Sequence, residues 1–176
     1  MPRREPEEGS GVLWAPWRMG YLKGLKRARR GDRPTPCFLC AALKGHDDRG
    51  SHLVERGRLV SCILNKYPYN NGHLMIIPNR HTADFSGLRR PELVAMTSLA
   101  QAYVRVLRRL MSPDGWNLGM NLGRAGGAGL ETHLHLHLVP RWGSDTNSFT
   151  TVSGTRVISQ DLDGLWTALR RARRIR

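Results

Sequence analysis

The stretch THLHLHLVPRW (132–142) alternates histidine with leucine over six consecutive residues, 133–138. An extended strand places residues i, i+2 and i+4 on one face and their neighbours on the other. A helix would scatter the same residues around its axis. His133, His135 and His137 therefore share one face, and Leu134, Leu136 and Leu138 share the opposite one. The leucine face needs a packing partner. The histidine face presents imidazoles at steps of about 6.5 Å, close enough for two of them to grip one ion. Three histidines on one metal is one reading of this face, a division of tasks among them is another, and an exposed polar edge is the plainest.

The partner for the leucine face lies upstream. RLVSCILN (58–65) and HLMIIP (73–78) read as strands, joined through the turn residues of YPYNNG (67–72) into a hairpin. In RRPELVAMTSLAQAYVRVLRRLM (89–111), Leu93, Met96, Leu99, Ala100, Tyr103, Leu107 and Leu110 recur at spacings of three and four. That spacing predicts an amphipathic helix, with Pro91 near its start. Strands are expected over 115–123, 133–140 and 155–159, and a C-terminal helix over 160–174. Strands outside βαβ alternation, with helices alongside, imply an α+β fold with a mainly antiparallel sheet.

Just before the histidines lies GRAGGAG (123–129). Glycines let backbone N–H groups crowd an anion without side-chain clash, so Gly127 and Gly129 are candidate phosphate contacts beside the histidine face. The chain carries 28 Lys and Arg against 14 Asp and Glu, a net charge of +14, which favours anionic partners such as nucleotides or nucleic acid. Much of the excess sits in 22–33 and 169–176, which also read as solvated arms. No apolar run approaches the roughly 18 residues that span a bilayer, and no apolar stretch follows MPRREPEEGS, so a cytoplasmic location without membrane contact is expected. Cys62, in an apolar run, reads as a buried core thiol. Cys37-Phe-Leu-Cys40 is a C-x2-C knuckle that needs two more ligands for a tetrahedral zinc site, and by local spacing His46 and His52 are candidates.

Taken together, HLHLHLV, LNKYPYNNGHLMIIPNRH, the flank LWAPW and the stretch NLGRAGGAG resemble the histidine triad (HIT) superfamily in order and spacing. Within it the chain looks like the bacterial diadenosine tetraphosphate phosphorylases, relatives of the fragile-histidine-triad hydrolases. The resemblance covers about residues 37–150. It implies a basic N-terminal extension over 1–36 with a packed segment (Trp14, Trp17, Tyr21), a HIT domain over 37–150, and a C-terminal strand, helix and basic tail over 151–176.

The resemblance also implies an activity. A dinucleoside polyphosphate would be cleaved through a covalent nucleotidyl-histidine on His135, with water or phosphate as the acceptor. His137 would donate to the phosphate oxygens and His73 would orient the triad. Asn65 would meet the ribose, and Asn121 would lie near the bridging oxygen. Trp142 would stack on a base or close the core edge. The family's structural zinc would take Cys37, Cys40, His81 and His133, in place of the local set with His46 and His52. A homodimer is implied as well. Some phosphorylases of this branch carry Ser where this chain has Gly129, which leaves water and phosphate both open as acceptors. Two rival functions are a nucleoside phosphoramidate hydrolase and a non-catalytic module binding nucleotide or nucleic acid.

Overall fold

A computed structural model describes residues 36–143, 145 and 161–174. Trp14, Trp17, Tyr21, the basic run at 22–33 and the strand expected over 155–159 lie outside the described residues. Among these residues the chain order is α1 (Phe38–Lys44), β1 (Leu53–Arg56), β2 (Val60–Leu64), β3 (Leu74–Pro78), α2 (Arg90–Met111), β4 (Gly115–Gly119), β5 (Leu136–Arg141) and α3 (Leu162–Arg174). The strands form one antiparallel sheet in the order β1-β2-β3-β5-β4, which gives the expected α+β architecture. No helix of the described residues is long and apolar enough to cross a membrane.

The hairpin forms where the sequence places it. β2 and β3 pair from Val60↔Pro78 to Leu64↔Leu74. Gly72 in the connecting turn has φ +74, and a side chain there would meet Met111 and Pro140 at 3.0 Å. Glycine is thus required twice, for the backbone angle and for the space. β5 comes in from the far end of the chain and lies between β3 and β4, pairing Leu74↔Leu138 and Met75↔His137 on one side and Leu118↔Leu138 on the other.

Alternation then assigns the two faces. Cys62, Leu64, Leu74, Ile76 and Leu138 pack with Met96, Leu99, Tyr103 and Leu107 of α2 and with Leu165 and Leu169 of α3. Cys62 is the buried thiol expected of it. The other face carries Ile63, Met75 and Ile77, covered by Leu39 and Ala42 of α1. His137 shares this second face, because it pairs with Met75.

α2 begins at Arg90 with Pro91 in its first turn, where the missing N–H costs nothing. Glu92 accepts the Arg89 N–H at 2.8 Å and two bonds from the Arg80 guanidinium, which hold its carboxylate below the usual range. The helix stops at Ser112, in the left-handed region at φ 46. α3 is tied to β1 by Glu55, whose carboxylate accepts from the Tyr103 hydroxyl at 2.9 Å and the Arg173 guanidinium at 2.7 and 3.2 Å.

Two expectations are corrected. The strand expected over 133–140 starts at Leu136, and the one expected over 115–123 ends at Gly119. The β3–β5 ladder stops at Ile76↔Leu136. Beyond it stands Pro78, which has no N–H to give, and whose carbonyl accepts the His133 Nε2–H at 2.9 Å. The Leu134 N–H turns to the Thr82 carbonyl at 2.7 Å. β4 ends where its last partner, His137, ends the β4–β5 pairing. Two elements had no sequence expectation, α1 and β1, at seven and four residues.

The Glu55 contacts give a stability test. Glu55→Ala strands both the Tyr103 hydroxyl and Arg173, and should cost about 1–3 kcal/mol in urea denaturation. Tyr103→Phe removes one partner and leaves the Glu55–Arg173 pair intact, so its cost should be the smaller, about 1 kcal/mol. Equal costs would show that Arg173 gains nothing from Glu55.

Candidate functional site

Three of the seven histidines of the chain lie along and just before β5, and all three are buried. Each has a nitrogen tied to a different partner, and those partners decide what each ring can do.

His135 hydrogen-bonds the His133 carbonyl through Nδ1 at 2.9 Å. A carbonyl only accepts, so Nδ1 carries the proton and Nε2 keeps its lone pair. Burial lowers the His135 pKa, and the bond to the His133 carbonyl opposes the shift only in part. The ring is therefore a neutral imidazole with one defined nucleophilic nitrogen.

His137 is set by a longer chain of bonds. The Tyr69 backbone N–H donates to His73 Nδ1 at 3.0 Å, and the Asn65 amide nitrogen reaches the same atom at 3.3 Å. His73 Nδ1 is thus an acceptor, and its proton lies on Nε2. That Nε2–H donates to His137 Nδ1 at 2.8 Å. The remaining His137 nitrogen, Nε2, then carries a proton. One backbone amide in the turn thereby makes His137 a hydrogen-bond donor. The turn itself is tethered: Asn70 donates to the Pro140 carbonyl at 3.2 Å and to Asp145 at 2.8 Å. Asp145 in turn accepts a two-pronged bond from Arg141.

His133 faces elsewhere. Its Nε2–H goes to the Pro78 carbonyl, which leaves Nδ1 unprotonated and 3.3 Å from Cys37 Sγ and 3.5 Å from Cys40 Sγ. His81 Nδ1 lies 3.2 Å from Cys40 Sγ. These four ligand atoms lie within 4.8 Å of one another, a group that can hold a metal ion. Burial raises the Cys40 thiol above its ordinary value, and the adjacent Cys37 adds to the rise. A metal ion bound between the two sulfurs would stabilise them as thiolates against that rise. His46 and His52 do not join this group; His46 is exposed, and His52 occupies a turn with φ 59.

A cavity of about 280 Å³ opens beside His135 and His137. Asn65 and Gly129 line it, as do Phe38, Lys66, Tyr67, Tyr69, Met75 and Leu130. Asn65 is fixed by its side-chain oxygen, which accepts the Tyr67 N–H at 2.9 Å. Asn121, Gly127 and Trp142 are not among the lining residues. Asn121 reaches the Gly127 carbonyl at 3.5 Å across the exposed glycine loop, where Gly127 has φ +78. The Trp142 indole N–H donates to the Met111 carbonyl at the end of α2, at 3.3 Å. His73 lies behind His137, at 1% exposure, and reaches the cavity only through it. Sequence reasoning missed the aromatic wall. Tyr67 and Tyr69 flank Pro68 near Asn65, in a stretch whose sequence signals only a turn.

Comparisons with known proteins place the chain by family and fold. The HIT domain family model matches residues 48–143. The AP-4-A phosphorylase of Mycobacterium tuberculosis is 38% identical over 149 residues, 84% of this chain and 76% of that protein. The crystal structure of a Zn-bound histidine triad family protein from Mycobacterium smegmatis superposes with a TM-score of 0.63 at 28% identity, covering 79% of this chain and 94% of that one. The Plasmodium falciparum diadenosine triphosphate hydrolase shares the fold at a TM-score of 0.58 and 15% identity, over 72% of this chain and 77% of that one. With its buried histidine row, and with a family model matching more than half its length, the chain belongs to the HIT domain family.

Proposed function

We propose that this protein cleaves dinucleoside polyphosphates, transferring a nucleotidyl group first to His135 and then to water or phosphate. The observation that carries the reading is the paired state of His135 and His137. One ring offers a lone pair and its neighbour offers an N–H, with ring centroids 4.7 Å apart on the wall of one cavity. The AP-4-A phosphorylase 38% identical to this chain supports the substrate class.

The chemistry follows from the tautomers. His135 Nε2 attacks the α-phosphorus, a P–N bond forms, and the P–O bond to the departing nucleotide breaks. The His133 carbonyl holds the Nδ1 proton as positive charge grows on the ring. The His137 N–H donates to the phosphate oxygens, where negative charge builds in the transition state. Attack by water or phosphate then breaks the P–N bond and restores His135. His73 and the Tyr69 N–H are positioning groups, because they act through His137. Asn65 and Gly129 bind the ribose and phosphate from the cavity wall. Asn121, near the bridging oxygen, and Gly127, at a phosphate, would meet substrate from the exposed loop outside the cavity lining, and Trp142 serves the core edge.

The metal group is read as a zinc site. Zinc–sulfur bonds of about 2.3 Å and zinc–nitrogen bonds of about 2.0 Å in a tetrahedron separate ligand atoms by about 3.3–3.8 Å. The three sulfur–nitrogen separations of 3.2, 3.3 and 3.5 Å lie close to that range, and all four ligand atoms lie within 4.8 Å of one another. The His133 Nε2–H bond to Pro78 is the outer contact that commonly fixes a ligating imidazole. Four protein ligands fill the shell, so the ion's contribution is to tie α1 to the histidine segment. The triad is then divided: His133 for the metal, His135 for attack, His137 for phosphate.

Three outcomes are expected. Intact mass after brief mixing with diadenosine tetraphosphate should show one added adenylyl group (AMP less water) in the wild type and none in His135→Ala, with turnover lowered roughly 10³-fold or more. Turnover by His135→Ala at the wild-type rate would end the covalent reading. His137→Ala should lower kcat about 10²–10³-fold with a smaller change in KM, the behaviour of a donor used mainly in the transition state. By elemental assay, His81→Ala should hold as little zinc as Cys37→Ala, and His46→Ala and His52→Ala should hold as much as the wild type; the reverse pattern would assign the local ligand set.

A further inference from the structure

Phe38 is the first residue of α1, and it stands between two members of the metal group, Cys37 and Cys40. Its ring is 44% exposed, so the core does not lock it. Yet it forms part of the wall of the cavity that His135, Tyr67 and Leu130 also line.

The two ends of α1 are held by different means. Arg56 secures the C-terminal end, donating to the carbonyls of Ala42, Leu43 and Gly45 at 3.0, 2.6 and 2.6 Å. Leu39 and Ala42 pin the helix to the sheet through Ile63, Met75 and Ile77. The N-terminal end has no cap, because Cys37 makes no side-chain capping bond. Its thiol turns to His133 Nδ1 instead. A helix of seven residues does not hold its own end turn in place. The rotation of that turn about Leu39, and with it the direction of the Phe38 ring, falls to the thiols on either side.

We infer that metal bound at Cys37, Cys40, His81 and His133 fixes the Phe38 ring as a wall for a nucleotide base, so that metal and nucleotide each tighten the binding of the other. This rests on the nucleotide reading above. An aromatic face of this kind stacks any base, and its value depends on being held in place before the base arrives. Linkage requires the effect to be reciprocal: if metal improves nucleotide affinity, nucleotide improves metal affinity by the same factor. Phe38 is the link, because it lines the cavity and none of the four ligands does.

The test reads metal affinity, not turnover. The full chain is titrated with Co²⁺, followed by its thiolate and ligand-field absorbance, with and without saturating AMP, against a cobalt–AMP blank. AMP binding is measured separately by calorimetry. In the wild type, AMP should lower the cobalt Kd by about fivefold or more. In Phe38→Ala, which keeps all four ligands, AMP should change it by less than about twofold, and Phe38→Tyr should restore the coupling. If AMP binds the wild type but leaves the cobalt Kd unchanged, or if Phe38→Ala is coupled as strongly as the wild type, the inference is overturned. Absence of AMP binding to the wild type by calorimetry would instead bring down the nucleotide reading on which it depends.

Discussion

The pairing of β5 with β3 is the constraint from which the rest follows. Leu74↔Leu138 and Met75↔His137 fix the register. Leu138 goes to the core under α2, and its neighbour His137 is forced onto the opposite face. A slip of one residue would turn the histidines into the apolar core under α2 and α3 and the leucines out of it, so the hydrophobic core enforces the register strongly. The same register brings His73, just before β3, within 2.8 Å of His137. Residues 64 positions apart thus become a hydrogen-bonded pair because a leucine packs on the other side of the sheet.

A second theme is that backbone groups set the state of each ring. Buried imidazoles are ambiguous alone, since either nitrogen can hold the proton. The His133 carbonyl settles His135, the Pro78 carbonyl settles His133, and the Tyr69 N–H settles His137 through His73. Main-chain groups do not titrate, so the three tautomers are as fixed as the fold. His133 also joins the two halves of the site: its ring faces the thiols and its carbonyl orients the next histidine in the row.

Much of the fold was legible because several elements are long or strongly patterned. The helix at 90–111 spans six turns of apolar spacing, and the 60–64 and 74–78 strands are buried throughout. α1 and β1 were not legible. FLCAALK is too short to display a helical period, and LVER runs two apolar residues into two charged ones, with no alternation to mark a strand. The end of the histidine strand was misplaced for a related reason. Its alternation runs through His133, but Pro78 and the His133 ring divert the hydrogen bonds that would have continued the ladder.

By itself the sequence determined the β2–β3 hairpin and the long helix, the alternation that sets His135 and His137 apart from the leucines, and the pool of groups able to bind metal or attack phosphorus. Period-two alternation and residue chemistry are local properties, written in consecutive letters. The resemblance implied His81 and His133 beside Cys37 and Cys40, but only the tertiary structure gathers the four, at separations of 41 and 93 residues from Cys40. It also assembled Phe38, Tyr67, Tyr69 and Leu130 into one wall. Such groupings depend on which faces meet when the core closes, and no local period of the chain records that.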